Sequence, residues 1–347
     1  MTTGAGLRFS NDQAEGIARR GTKRFHYSSH SGKIAHADLE RIRALAIPPA
    51  WTDVWICSDA RGHLQATGRD ARGRKQSKYH PDYRKERDNL KFSHLAEFGS
   101  ALPKLRRTID HDLSGRLPSE ERQTALVVQL LDRTAIRIGN DQYRRSNGSF
   151  GLSTLRDRHA SVSGAAVVFT FPGKSGQRHR VELNDRRLAR LVGQCQDLPG
   201  QVLFSYLDDD GCSRPIASEM VNDYIRRATS ADFTAKTFRT WIGTTEAATA
   251  LVSSVGEPTK AGLLTGIDHA AQVLGNTRAV CRASYVHPAI QSLYLNGQLR
   301  DRWMDGPDRS SRWMHAAERR TLYVLKTTAD SSNHARPTRR RPQQYPQ

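Results

Sequence analysis

Cysteine is scarce in this sequence. Its four copies, Cys57, Cys195, Cys212 and Cys281, stand far apart and form no CxxC pair. That spacing excludes a disulfide framework and a zinc site, and reads as the reduced thiols of a cytosolic protein. No apolar run is long enough to cross a bilayer, no lipidation motif is present, and the opening MTTGAGLRFSNDQ lacks the apolar core of a signal peptide. A cytoplasmic protein without membrane attachment is expected. Clustered metal-ligand carboxylates are missing too. Asp208-Asp209-Asp210-Gly211 is a run of consecutive acids without the alternate spacing of a calcium loop, so it reads as a turn, and no metal site is expected. Acid is short overall, with 35 Asp and Glu against 54 Lys and Arg, a formal charge of +19 over 347 residues. A solvated basic surface is the plainer account. A polyanionic partner is the sharper one, because a dense array of phosphates compensates that much charge. The basic residues run along the whole chain, which favours a protein that embraces nucleic acid over one with only a basic tail.

The length allows a buried core and two domains. Residues 16–69 mix strand-like runs (RFHYSS, WTDVWIC, LQATGRD) with one helical segment, DLERIRAL, stopped by Pro48-Pro49. The charged stretch ARGRKQSKYHPDYRKERDN, broken by Pro81, reads as the exit from a small β-rich domain spanning 1–88. From 89 to 330 the pattern is mainly helical. After Pro118 the chain predicts a helix capped by Ser119, with Glu120 and Glu121 at its positive end and Gly139-Asn140 closing it. Arg137 then falls in the last turn, where it can simply complement the helix dipole. KTFRTWIGTTEAATALV opens another helix with Lys236 and Arg239 near its start, and a further helix ends at Gly275, ahead of Tyr285. A last helix is predicted around Leu322, Val324 and Leu325, and residues 331–347, rich in Arg and Pro, are expected to be a disordered basic tail.

The stretch FTFPGKSGQRHR contains Gly173-Lys174-Ser175, the last three letters of a phosphate-binding P-loop. That motif needs a glycine five positions before Gly173, but position 168 is valine, and it needs a helix directly after the lysine. Instead Phe169, Phe171, Val181 and Leu183 recur at period two on either side of a Pro-Gly turn, the signature of a β-hairpin. Lys174 therefore sits at a hairpin tip, and nucleotide binding there is rejected. Each of these residues, taken alone, has an ordinary structural explanation.

In order along the chain, TAIRIGN, FPGKSG, KTFRTW and LGNTRAVCRASYVHP resemble the type IB DNA topoisomerases, in their compact bacterial and poxvirus-like branch. The similarity runs from about residue 20 to 300, and LQATGRDARGRKQ in the first domain fits it too. The resemblance implies an α+β protein, with a small β-rich N-terminal domain and a larger, mainly helical catalytic domain carrying a β-hairpin, closing as a C-shaped clamp around DNA. It implies Tyr285 as nucleophile, Arg137 and Arg239 as catalytic arginines and Lys174 as general acid. Asn276 stands where many relatives have histidine; asparagine can donate a hydrogen bond to a phosphate but cannot carry a proton. Gln76, Tyr79, Tyr143 and Lys236 match positions that touch DNA in relatives.

The implied reaction is relaxation of supercoiled duplex DNA by a monomer in the bacterial nucleoid, through a 3′-phosphotyrosyl intermediate, with neither ATP nor metal as cofactor. A free tyrosine ionises near pH 10, so nearby cations are needed to favour its phenolate. The Arg, Lys, Arg and Tyr logic also suits a tyrosine site-specific recombinase, but those enzymes usually carry a helical DNA-binding domain at the amino end, and here that end is β-rich. A non-catalytic DNA-binding protein explains the charge but not four ordered motifs, and a nuclease is disfavoured by the lack of clustered carboxylates.

Overall fold

The computed structural model describes residues 2–22, 24–29, 32–115, 118–254 and 256–334, without the side chains of Tyr143, Ser175 and residues 330–334. The chain divides into two compact units, one ending at Ser93 and one beginning at His94.

The first unit runs β1 (Gly16–Arg20), β2 (His26–Ser29), α1 (His36–Ala44), β3 (Thr52–Cys57), β4 (Leu64–Arg69), β5 (Lys75–Tyr79) and α2 (Pro81–Ser93). Its strands form one antiparallel sheet in the order β2-β1-β3-β4-β5. Ile17, Val54, Ile56 and Ala66 are buried with Ile42 of α1, and these five residues form the unit's small core. The charged stretch read above as a linker is instead structured. Lys75–Tyr79 pairs with β4 as an edge strand, and Pro81 opens α2 rather than breaking it. Proline costs nothing at a first helical position, where its missing N–H would have had no helical partner. The boundary therefore falls after Ser93, and the expected cut at 88 runs through a helix.

The second unit begins with α3 (Leu95–Asp112), α4 (Glu120–Thr134) and α5 (Asp141–Asn147). A three-stranded antiparallel sheet follows, β6 (Ala160–Ser163), β7 (Ala166–Pro172) and β8 (Arg178–Asn184), then α6 (Arg186–Gln196). The short hairpin β9 (Ser205–Leu207) and β10 (Ser213–Pro215) encloses the acidic run as a turn, with Asp208 accepting from the Cys212 N–H and the Arg214 guanidinium, both at 2.7 Å. Seven helices complete the unit: α7 (Ser218–Thr229), α8 (Ala235–Ser253), α9 (Lys260–Leu274), α10 (Arg278–Ser284), α11 (Pro288–Leu295), α12 (Leu299–Met304) and α13 (Ala316–His334). Residues 331–334, expected in the tail, thus end a helix; the rest of the tail lies outside the described residues. Among the described residues no helix is long and apolar enough to cross a membrane.

Two features fix α8, the helix that carries Arg239. Phe98 of α3 meets Phe233 and Phe238 edge-on at 5.2 and 5.1 Å, with Trp241 at 6.3 Å, so aromatic area drives the contact. Beneath it lies a buried ionic knot. The Arg106 guanidinium donates to both Asp132 oxygens at 2.8 Å and to Glu318 at 2.7 and 2.8 Å, and Glu318 also accepts from Trp241 Nε1 at 3.1 Å. One arginine thus joins α3, α4 and α13, and the indole adds α8.

Helix α4 starts as expected, with Ser119 accepting from the Arg122 N–H, but it stops at Thr134 and not at Gly139-Asn140. Ala135 takes the left-handed conformation at φ 54° and closes the helix through its N–H to Leu131. The next carbonyls serve other partners: Arg137 O accepts from Leu152 N at 2.9 Å and Ile138 O from Ser153 N at 2.7 Å. Arg137 is therefore held on an irregular loop laced to residues 151–154, rather than in a helical turn.

Candidate active site

Three local structures bring cations to one place. The loop after α4 presents Arg137, the β7–β8 hairpin presents Lys174, and the first turn of α8 presents Arg239. All three line a cleft of about 260 Å³ together with His179, Phe171 and Gly275. The expected hairpin is present, with Phe169 opposite Val181 and Phe171 opposite His179, and a tip closed by Gly173 N–H to Gln177 O at 2.8 Å. Lys174 stands exposed on that tip.

Arg239 is the hub. Only 4 % exposed, it donates through one terminal nitrogen to Ala135 O and through the other to Leu274 O at 2.7 Å. It thereby ties the origin of the Arg137 loop to the end of α9. Its Cζ lies 5.2 Å from the centre of the Tyr285 ring, a cation–π distance. Arg137 donates to Asn276 Oδ1, one residue beyond the left-handed Gly275 cap of α9. Because a guanidinium only donates, the Asn276 oxygen must face it. That leaves Asn276 Nδ2 buried and without a partner, and Arg239 Nε is in the same condition.

The electrostatics are one-sided. Burial pushes the Arg239 pKa down to about 10, and the Arg137 charge pushes the same way. Burial also lowers Arg137, opposed by Tyr285. Among the described residues neither guanidinium has a carboxylate partner. One buried and one half-buried guanidinium, neither with a carboxylate partner, make a site suited to an anion. No group of three His, Cys, Asp or Glu positioned for a metal occurs among the described residues.

Tyr285 ends α10 and is anchored through its backbone. Its N–H returns to Cys281 O at 2.8 Å, and its carbonyl accepts from Thr244 Oγ1 at 3.2 Å. The same hydroxyl accepts from the His287 N–H at 3.1 Å, so Thr244 of α8 grips both sides of Tyr285. One helical step earlier, Gly243 lets the chains meet: a Cβ there would stand 2.9 Å from Tyr285 O.

Of the residues expected at the site, Arg137, Lys174 and Arg239 share the cleft, Asn276 bonds Arg137, and Tyr285 lies against Arg239. Lys236 is exposed at the start of α8. Gln76 and Tyr79 belong to β5 in the first unit, where Gln76 donates to Asp70 at 3.0 Å and Tyr79 neighbours the Tyr83 ring at 5.5 Å. The Tyr143 side chain lies outside the described residues. Sequence reasoning missed His179, Gly243 and Thr244. Only His179 carried a signal, since it continues the period-two face of Val181 and Leu183.

Comparisons with known proteins bear on the family of the chain. The family model described as the eukaryotic DNA topoisomerase I catalytic core matches residues 80–294, and that of the bacterial DNA topoisomerase IB N-terminal domain matches residues 24–70. DNA topoisomerase 1B of Acanthamoeba polyphaga mimivirus is 31% identical over 283 residues, 78% of this chain and 84% of the relative. DNA topoisomerase I of Monkeypox virus is 23% identical over 258 residues, 72% of this chain and 80% of the relative. DNA topoisomerase 1 of Drosophila melanogaster is 25% identical over 165 residues, which cover 45% of this chain and 16% of that protein.

Proposed function

The chain belongs to the type IB DNA topoisomerases, and from that membership we propose that it relaxes supercoiled duplex DNA by cutting and resealing one strand through Tyr285. The Tyr285 hydroxyl oxygen attacks a backbone phosphorus and the bond to the 5′ oxygen breaks. A 3′-phosphotyrosyl link and a free 5′-hydroxyl result. The tyrosine gives up one proton and the leaving oxygen gains one, which Lys174 delivers as general acid. One phosphodiester replaces another, so bond energy is conserved and resealing is the same reaction reversed, with no ATP.

Charge that builds on the phosphoryl oxygens meets Arg137, Arg239 and the amide of Asn276. The observation that carries this reading is the pair of guanidiniums without a carboxylate partner, Arg239 buried and Arg137 half-buried, with Arg239 Nε and the Asn276 Nδ2 amide left as buried donors without acceptors. A phosphate bound there would give acceptors to all three groups, Arg137, Arg239 and Asn276. With three cations and an amide for one phosphate, the chemistry needs no metal for charge stabilisation, and we include none. Between cutting and resealing, the end with the free hydroxyl rotates about the intact strand.

The rest of the reading concerns grip. One copy closes on nucleoid DNA as a C-shaped clamp, with Gln76 and Tyr79 of the first unit, and Tyr143 and Lys236 of the second, on the backbone. The excess of basic residues supports this, because phosphate contacts position a duplex without reading its bases. The test is plasmid relaxation in EDTA without ATP. Relaxation and a covalent protein–DNA adduct are expected from the native chain, and neither from Tyr285→Phe; relaxation retained in that variant overturns the proposal.

A further inference from the structure

We propose that His179 is a positioning residue that seats the Lys174 hairpin against the Gly275–Asn276 segment. The proposal rests on the reading of Lys174 and Asn276 given above.

His179 lies on β8 directly across from Phe171, and the two rings stack at 5.5 Å with 17° between their planes. Its outer edges are enclosed by two glycines from different parts of the chain. A methyl group on Gly173 would overlap the ring at Cδ2 and Nε2, and one on Gly275 would reach Cε1 at 2.5 Å. Gly173 directly precedes Lys174, and Gly275 directly precedes Asn276. The imidazole is thus a spacer between the segment carrying the general acid and the segment carrying the amide donor. At Gly173 φ is −97°, which any residue adopts, so the contact with His179 and not the backbone is what calls for glycine there. Gly275, at φ 56°, satisfies the helix cap and the ring together.

A spacer here has to be uncharged as well as flat. Burial, then Arg137 and Arg239, lower the pKa of His179, so the ring is neutral at neutral pH. A fourth cation would repel the two arginines and Lys174, which line the same cleft. No described side chain bonds the ring nitrogens, consistent with a part played by shape.

The test is a double-mutant cycle of His179→Ala with Lys174→Ala, read as single-turnover formation of the covalent adduct. Displacing a catalytic group by about 1 Å costs on the order of a hundred-fold. His179→Ala should therefore slow cleavage by about that factor. In the Lys174→Ala background it should slow cleavage hardly further. His179→Phe, which keeps a flat neutral ring, should recover most of the rate. Gly173→Ala, which leaves His179 in the chain but displaces its ring, should match His179→Ala and replaces it if that variant does not fold. Losses that multiply in the double variant overturn the proposal, as does a native rate in His179→Ala. So does a His179→Phe as slow as His179→Ala, which would make the ring nitrogens the working part. A substrate with a 5′-thiolate leaving group separates the two readings. Lys174→Ala that it fails to rescue refutes the proton-donor role of the lysine, whereas the cycle still reports whether His179 acts through residue 174.

Discussion

Gly243→Ala tests whether α8 holds Tyr285, the proposed nucleophile, in its place. The position faces Tyr285 and Leu274 from within α8, and an added Cβ would stand 2.9 Å from Tyr285 O, 2.9 Å from Leu274 Cδ1 and 3.1 Å from Tyr285 Cβ. Comfortable carbon contacts lie at about 3.5–4.0 Å, so the Tyr285 segment must recede by roughly half an ångström. The hydrogen bonds of Thr244 to Tyr285 O and His287 N–H bridge the same gap and lengthen with it. Alanine in a helix interior gains up to about 1 kcal/mol over glycine, whereas overpacking costs about 1–3 kcal/mol, so the net loss of stability is about 0–2 kcal/mol and the fold survives. Activity is more sensitive. With about a hundred-fold lost per 1 Å of misplacement, half that shift should slow cleavage about tenfold. The assay is single-turnover adduct formation on a short duplex, with binding measured separately by fluorescence anisotropy and expected to be unchanged. Gly266→Ala is the control, because its methyl would meet the Leu251 side chain at 2.5 Å and touches nothing of Tyr285. It should lower the unfolding midpoint and leave the cleavage rate alone. Native cleavage in a folded Gly243→Ala, or an equal loss in the control, would refute the claim that α8 sets the place of Tyr285.

Other variants probe the remaining groups. At position 276, Asn276→Ala removes a proposed phosphate donor and should cost on the order of a hundred-fold in cleavage rate, as loss of an oxyanion donor does. Asn276→Asp should be worse, since a carboxylate neutralises Arg137 and repels the phosphate, and Asn276→His should be the mildest of the three; a different rank order in adduct formation counts against the donor role. Glu318→Ala strips partners from Arg106 and Trp241 and should destabilise by about 3 kcal/mol in denaturant unfolding, more than Glu318→Gln; equal midpoints for the two would show the carboxylate charge to be irrelevant. Finally, His63, His159 and His179 all have pKa values held below 6.5, by burial first. The unfolded chain then takes up protons before the folded one, so this share of stability is present above about pH 6.5 and lost as pH falls below it. The melting temperature should decline between pH 7.5 and 5.5, and a flat or rising profile contradicts the assignment.

Much of the fold was legible because it rests on local rules. The strand-like runs WTDVWIC and LQATGRD became β3 and β4, the period-two pair became β7 and β8, Ser119 caps α4, and Gly275 ends α9. The errors came where a tertiary partner overrode a local signal. Gly139-Asn140 looked like the end of α4, yet residues 151–154 claim the carbonyls of Arg137 and Ile138, and the helix stops five residues earlier. Pro81 looked like a break, yet it begins a helix that closes the first unit. Gly243 and Thr244 could not be found at all, because their importance is a contact with a residue some forty positions away.

The partners of Arg239 explain why the site can be both rigid and charged. Spacing along a sequence identifies cations but not what holds them, and the usual guess for a buried arginine is a carboxylate. Arg106 follows that rule, and its charge is spent on Asp132 and Glu318. Arg239 is held just as firmly by two carbonyl oxygens, Ala135 O and Leu274 O, which orient a guanidinium without cancelling its charge. Arg137 is likewise oriented by a neutral amide. A carboxylate in either place would compete with the proposed phosphate for the same donors, and removing it on binding would cost several kcal/mol. Neutral acceptors avoid that competition and leave the two arginines repelling each other, a strain that the proposed phosphate would relieve. The left-handed Ala135 and Gly275 are the backbone counterpart of this arrangement: each ends a helix one residue from, or at, the carbonyl that Arg239 takes, so the helix ends supply the acceptors that fix the cation.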